Sequence, residues 1–175
     1  RDFVPEDIEE NPYETLPRLN LFTYQISDII RDELDDGIDL VGENVEYAFD
    51  LNEFFSTDER GAFIYGEDVD KFLDALTDEN RTKFPFSTPK LRNEIKHSFW
   101  MLNRVDSAKA LKRKLEKNPV FKEYKVVLAA GDGKTDDEII TEESLARVRK
   151  AIKDYDKTIT LSVGQLTTGV TVPEW

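Results

Sequence analysis

The feature that most restricts how this chain can fold is a short apolar run near its carboxyl end, residues 158–163 (TITLSV). The run is rich in β-branched residues, which is typical of a strand buried inside a parallel sheet. The sequence then turns polar and glycine-containing at residues 164–169 (GQLTTG). Because α/β proteins bind their ligands where a strand passes into such a loop, we expect this junction to carry the function.

Two further strands and two helices are predicted ahead of this run. The strands cover residues 98–102 and 124–129, and the helix between them carries an apolar stripe, with Asp106 and Ser107 as candidate caps. A second helix is predicted over residues 142–155. Strands that alternate with helices predict an α/β fold with a parallel sheet covered by helices.

Right-handed crossovers would bring the ends of the three predicted strands to one edge of this sheet. Asn103 and Arg104, the glycine loop at 131–133 and the segment 165–169 would then line a shared rim. A short helix is also predicted to begin at Thr88-Pro89, since threonine suits the cap and proline the first turn.

The charge of the chain is divided unevenly along its length. The net charge is −13, but residues 1–80 hold 5 basic against 24 acidic residues, whereas residues 81–125 hold 13 basic against 4 acidic. A scattered charge run is ordinarily a solvated surface, and that interpretation stays open. A local basic excess on an acidic chain is also typical of a polyanion-binding face, which makes Lys112, Arg113 and Lys114 candidate DNA-binding residues.

The first 83 residues are predicted to form an acidic segment of mixed α and β structure. Residues 18–25 suit a strand followed by a helix capped at Ser27, although a helix from Leu19 has equally good spacing. Aromatic residues are dense among the acids between residues 44 and 78, which indicates packing rather than disorder.

Two stretches that look like known binding loops are rejected on their spacing. Residues 32–43 have the length of a calcium loop, but Leu34 stands where a side-chain ligand is needed. Residues 133–135 (GKT) end like a phosphate-binding loop, but Leu128 occupies the place of the first glycine. We therefore predict no metal site and no catalytic residue in this chain.

Single residues that could carry chemistry have plainer explanations. His97, the one histidine, has no second ligand at a recognisable spacing and is predicted to lie at the surface beside a strand. Trp100 is predicted to be a core residue rather than a base-stacking platform. There is no cysteine, which excludes disulfides and thiolate metal sites. No signal peptide or membrane span is predicted, and we expect a cytoplasmic protein.

Residues 165–175 (QLTTGVTVPEW) resemble motif V of superfamily 2 helicases, in the form found in DNA helicase subunits of bacterial restriction–modification systems. Residues 99–111 (FWMLNRVDSAKAL) are similar to motif IV of the same family. DEAD-box relatives carry an arginine before the motif V glycine and an aspartate two residues after it, where this chain has Thr168 and Thr171. The resemblance implies that residues 84–175 form the second RecA-like domain, truncated before motif VI.

The resemblance also implies roles for individual residues. In the family, motif V touches the nucleic-acid backbone and relays that contact to the nucleotide cleft, and motif IV lies beside it. On that basis Gln165 and Thr171 would belong to the nucleotide cleft. The residues implied to contact DNA, through hydroxyl, amide, guanidinium and backbone N–H donors, are Thr167, Thr168, Gly169, Asn103 and Arg104.

The implied function is that of a fragment of an ATP-dependent DNA helicase or translocase that drives a restriction endonuclease. ATP and Mg²⁺ would be bound by a longer parent chain with its first RecA-like domain, and nuclease or methyltransferase domains would be further partners. The fragment alone is expected to bind neither cofactor and to hydrolyse no ATP. The alternative is a non-catalytic module whose acidic, aromatic front binds a protein partner.

Overall fold

The structure is a computed structural model that describes residues 51–80, 84–130 and 137–164, together with Leu166 and Val172. The predictions made for residues 1–50, for the loop at 131–136 and for most of the segment 165–175 lie outside these ranges.

The described chain begins with helices and continues as an alternation of strands and helices. Three helices come first: α1 (Leu51–Phe54), α2 (Gly66–Thr77) and α3 (Pro89–Glu94). The remaining elements are β1 (His97–Met101), α4 (Val105–Lys117), a 3₁₀ turn (Phe121–Glu123), β2 (Lys125–Ala129), α5 (Asp137–Asp154) and β3 (Thr158–Ser162). The predicted order of strands and helices is confirmed.

The three strands form one parallel sheet in the order β1-β3-β2. Strand β3 is central, and all five of its residues are buried. Met101 of β1 and Ala129 of β2 both lie opposite Ser162 of β3, so the carboxyl ends of the three strands lie at the same level. The predicted α/β class and parallel sheet are thereby confirmed.

Each face of the sheet packs against different helices, because alternate strand residues point to opposite sides. Ile159 and Leu161 lie in a core shared with Leu111 and Leu115 of α4 and with Phe121 of the 3₁₀ turn. On the opposite face, a smaller core joins β2 to α5; its buried members include Val127, Ala129, Val148 and Ala151. The sheet is therefore covered by helices on both faces, as parallel sheets normally are.

Residues 51–80, the described part of the acidic segment, contribute to the same core as α4. Val69 and Leu73 of α2 are fully buried in the cluster that contains Leu111 and Ile159. The predicted boundary between residues 83 and 84 lies near the point where the chain changes from acidic to basic. The apolar core contains residues from both sides of that boundary.

Two details of the helices differ from the prediction. Helix α4 has Arg104 as its N-cap without a capping side chain, so Asp106 and Ser107 are not caps; the Ser107 hydroxyl instead donates to the Phe55 carbonyl oxygen at 2.6 Å. Helix α5 begins at Asp137 rather than at residue 142, because the apolar stripe used for the prediction starts only at Leu145.

The predicted start of α3 is confirmed. The Thr88 hydroxyl accepts a hydrogen bond from the Leu91 N–H at 3.2 Å, and Pro89 occupies the first helical position. This geometry satisfies one of the amide groups that a helix start leaves unpaired.

An aromatic cluster connects the segment before α3 with β1 and the 3₁₀ turn. The rings of Phe86 and Phe121 lie 5.1 Å apart at 67°, and Trp100 meets Phe121 at 5.6 Å and 89°. Trp100 also donates its indole N–H to the Ser98 hydroxyl at 3.1 Å. Trp100 therefore packs against the core as predicted, but it is only partly buried and also lines a cavity beside the end of β1.

Tyr124 borders this cluster and gives the fold a pH dependence. Burial raises the pKa of Tyr124 to about 12, with Arg92 opposing the rise and Glu123 adding to it. Its hydroxyl lies 3.4 Å from the Arg92 carbonyl oxygen, to which it donates. The folded chain therefore holds the Tyr124 proton more tightly than the unfolded chain, where the pKa is 10.0.

We expect this contribution to stability to be complete below pH 10 and to be lost as the pH rises toward 12. Over that interval the free energy of unfolding should fall by on the order of 2 kcal/mol more in the wild type than in Tyr124→Phe. Urea unfolding of both proteins at several pH values measures the difference in their free energies of unfolding. Lysines and the other tyrosines titrate in both proteins, so their contribution is removed by the comparison. Parallel pH profiles would contradict the prediction.

A search of the described helices for one able to cross a lipid bilayer found none of sufficient length and hydrophobicity.

Candidate nucleic-acid interface

The carboxyl edge of the sheet is where the predicted rim residues begin. The Leu102 N–H donates to the Ser162 carbonyl oxygen at 2.8 Å, and the Val163 N–H lies 3.4 Å from the Ala129 carbonyl oxygen, to which it donates. These bonds join the three chain segments at the point where they leave the sheet. The segments that follow β1 and β3 therefore start from neighbouring positions, although residues 165 and 167–171 lie outside the described part.

Asn103 and Arg104 lie at this edge, between β1 and α4. Both are exposed, and Arg104 is the extended N-cap residue of α4. The Asn103 side-chain amide donates to the Asn52 side-chain carbonyl of α1. Within the described ranges the Arg104 guanidinium has no hydrogen bond or ion pair, so it is available to an anion. The amino end of α4 adds a partial positive charge at the same place.

The turn that follows β3 contains two residues with left-handed backbone. Gly164 has φ of +75° and Leu166 has φ of 60°. For leucine this conformation costs about 1–2 kcal/mol, and it persists only where the surroundings hold it. The Leu166 side chain is buried in the core between β2 and α5.

Leu166 therefore anchors the start of the stretch that resembles motif V. Sequence reasoning assigned no role to Leu166, because a single leucine in a polar loop carries no periodic signal.

The three basic residues predicted from the charge run lie on different sides of α4. Lys112 lies 3.8 Å from Glu116, one turn further along the same helix. The Arg113 guanidinium donates to the Gly61 carbonyl oxygen. Neither of these contacts involves the carboxyl edge of the sheet.

Lys114 is the most enclosed of the three. Its ammonium group donates to the Gly66 carbonyl oxygen at 2.7 Å and forms an ion pair with Asp70 of α2. Arg113 and Lys114 therefore contact the acidic segment, whereas Lys112 has no bond to the residues of that segment that the structure describes.

A polar groove of about 620 Å³ lies between α2 and the carboxyl half of α4. Asp70 and Asp74 line one side, and Arg60 and Lys117 are further cations in its lining. Neither cation has a side-chain ion pair within the part of the chain that the structure describes. Arg60 was not identified from the sequence, because it follows two acidic residues and has no basic neighbour there. The fold places it in the same groove as the basic residues of α4.

Four phenylalanines in the described part of the acidic segment pack against one another. Phe54 and Phe55 meet edge to face at 5.0 Å, and Phe72 lies about 6 Å from both rings. Phe54 and Phe63 are buried in the core that α4 shares. This packing accounts for the aromatic density of the segment over its described residues.

His97 begins β1 and is partly buried. Its Nδ1 atom lies 3.1 Å from the Thr158 hydroxyl oxygen on the neighbouring strand β3.

In the described portion of the chain, no three residues among His, Asp and Glu come together in a way that could hold a metal ion.

No protein-family model matches the chain, and no significantly similar curated protein or solved structure was found.

Proposed function

We propose that this chain is part of an ATP-dependent DNA helicase or translocase of superfamily 2 that serves a restriction–modification enzyme. Its sheet and helices would be the second RecA-like domain of that motor. One observation supports this more than any other: the stretches that resemble motifs IV and V leave neighbouring strands, β1 and β3, at the same edge of a parallel sheet. Ligands of α/β folds bind at that edge.

The proposed task of this edge is to hold the phosphate backbone of DNA. Asn103 and Arg104 supply amide and guanidinium donors at the amino end of α4. Thr167, Thr168 and Gly169 would add hydroxyl and backbone N–H donors from the neighbouring segment. Contacts of this kind fix the position of a strand without reading its sequence, which suits a motor that moves along DNA.

ATP and Mg²⁺ would be bound with the help of the first RecA-like domain of the parent chain. Among the described residues, no group of three acidic or histidine side chains comes together. Gln165 and Thr171 would contribute to the nucleotide side of the cleft. Phosphoryl transfer needs phosphate-binding, metal-binding and charge-stabilising groups together, so this domain would complete a site rather than form one.

The proposal is tested by two substitutions in the longer parent chain. Thr168→Val keeps the shape of the side chain but deletes a hydroxyl, and we expect a loss of about 1–2 kcal/mol in DNA-dependent interaction. Gly169→Val should reduce DNA-stimulated ATP hydrolysis further, because a side chain there keeps the backbone from approaching a phosphate. ATP binding without DNA should remain in both variants.

The measurement is DNA-stimulated ATP hydrolysis beside a thermal melting curve for each variant. Thr77→Val serves as the control, because among the described residues the Thr77 hydroxyl bonds to carbonyl oxygens of its own helix. Full stimulation in both test variants, or a loss that only follows reduced thermal stability, would show that the segment is structural. That outcome would favour the non-catalytic interaction module.

A further inference from the structure

A cavity of about 330 Å³ opens beside the carboxyl end of β1. It lies between the acidic segment and the amino half of α4, and neither element forms it alone. Its apolar lining includes four aromatic side chains, Phe55, Phe72, Phe86 and Trp100. The volume is at the lower end of the range for pockets that enclose small organic groups.

The polar residues of this cavity are found at the strand end. Asn52, Asn103 and Arg104 all belong to its lining, and all three are exposed. Asn103 uses one N–H of its side-chain amide in the bond to Asn52, so its second N–H and its carbonyl oxygen have capacity for a ligand. Arg104 has no side-chain partner in the described part of the chain. The cavity thus combines aromatic walls with amides and one available cation.

This combination restricts what could occupy the cavity. A purely apolar group would cover the amides and the guanidinium without satisfying them, which is unfavourable. An inorganic anion would satisfy Arg104 but leave the aromatic walls in contact with water. A nucleotide meets both requirements, because its base packs on aromatic side chains, its edge bonds to amides and its phosphate pairs with arginine.

We propose that the cavity receives one unstacked base of a bound single strand, with the phosphate of that nucleotide on Arg104. This inference rests on the proposed function, because it places the base beside the strand end from which the phosphate-binding segment starts. Strands β1 and β3 are neighbours, and neighbouring strands lie about 5 Å apart. A backbone held after β3 therefore passes close to Asn103 and Arg104.

The first test compares two labelled oligonucleotides of equal length and charge with this chain at low salt. One is oligothymidylate and the other has the same backbone with abasic sites throughout. We expect the wild type to bind oligothymidylate about tenfold more tightly, since stacking of one base on aromatic side chains has an effect of that order. Fluorescence anisotropy gives both dissociation constants.

A cavity-filling variant identifies the binding site. Leu51 lines the cavity and is 43% exposed, so Leu51→Trp should block the opening with little effect on the core. We expect it to bind oligothymidylate as weakly as the wild type binds the abasic backbone, with abasic binding unchanged. Ile64→Trp is the matched control: Ile64 is 59% exposed and does not line this cavity.

Arg104→Gln separates the phosphate contact from the base contact. It should weaken the binding of both oligonucleotides by the same factor. It should also reduce the slope of log affinity against log salt concentration by about one, the value for one phosphate contact. Lys90→Gln makes an equal change of charge at an exposed position of α3. It should leave the ratio of the two dissociation constants and the salt slope unchanged.

The outcomes distinguish this inference from the proposed function. Equal affinity of the wild type for both oligonucleotides would overturn the base cavity and leave the backbone contact standing; a cavity that accepts a side chain of a protein partner predicts this result. A preference that survives in Leu51→Trp would also overturn it. Binding of neither oligonucleotide at low salt would overturn the proposed DNA contact together with the cavity.

Discussion

Replacing Phe121 with alanine is expected to lower the free energy of unfolding by about 3–5 kcal/mol. The Phe121 side chain is fully buried and contacts the rings of Phe86, Trp100 and Tyr124. The 3₁₀ turn that carries it is also held by Asn118, whose side-chain carbonyl accepts from the Phe121 N–H at 3.1 Å. The turn is therefore restricted from collapsing into the space that the ring leaves, so the substitution should create a cavity that costs stability.

Urea unfolding followed by circular dichroism measures this effect. Lys122→Ala is the matched control, because the neighbouring residue is exposed and its replacement should change stability by no more than about 0.5 kcal/mol. Phe121→Leu should lie between the control and the alanine variant, because it removes less volume. A loss below about 1 kcal/mol for Phe121→Ala would contradict the central role of this ring in the core.

Leu73→Ala in α2 is expected to cost about 2–5 kcal/mol and to destabilise the sheet as well as the acidic segment. Leu73 is fully buried in the core that contains Leu111 of α4 and Ile159 of β3. Polar contacts support the same interface, since Lys114 bonds to Gly66 and pairs with Asp70. A cavity in this interface therefore weakens the support of α4 on the sheet.

Native-state hydrogen exchange distinguishes a shared core from an appended segment. In Leu73→Ala the amides of β3 should lose protection together with those of α2, and unfolding should remain a single transition. Glu67→Ala, at an exposed position of the same helix, is the control and should leave β3 protection at the wild-type level. Faster exchange confined to α2 would show that residues 51–80 form a unit of their own.

The same interface affects how DNA-binding substitutions should be interpreted. A variant that reverses the charge of Lys112, Arg113 and Lys114 together would place two acidic side chains against Gly61, Gly66 and Asp70. Weakened DNA binding in that variant would not distinguish a lost DNA contact from loss of the interface between α2 and α4. Substitutions at Lys112 or Arg104 avoid this ambiguity, because neither side chain bonds to α2 in the described residues.

Much of the local structure could be predicted because each element carries its own signal. The β-branched run at 158–163 indicated a strand, and the structure has one at Thr158–Ser162. The Thr88-Pro89 pair indicated a helix start, and the Thr88 hydroxyl makes the expected bond. These signals depend on residues within one or two turns of chain, where side-chain period and backbone geometry decide the outcome.

The candidate site could be predicted only in part. That Asn103 and Arg104 lie at the edge where the strands end follows from the parallel pairing that alternating strands and helices predict. Their relation to Asn52 could not be foreseen, since the two segments are 51 residues apart and no local pattern links them. The cavity between them exists only because α1 and α2 pack against α4.

The sequence by itself therefore determined the α/β class, the order of strands and helices, and the polar character of the segments that leave the sheet. The tertiary structure decided that β3 is central, that the carboxyl ends of all three strands lie level, and that Lys114 meets Asp70. The division has a physical reason. Local side-chain periodicity decides which residues form helices and strands. It does not decide which acidic residue pairs with which basic residue, because many such pairs are chemically equivalent. Burial of side chains such as Leu73 brings α2 against α4 and thereby selects the pairs that form.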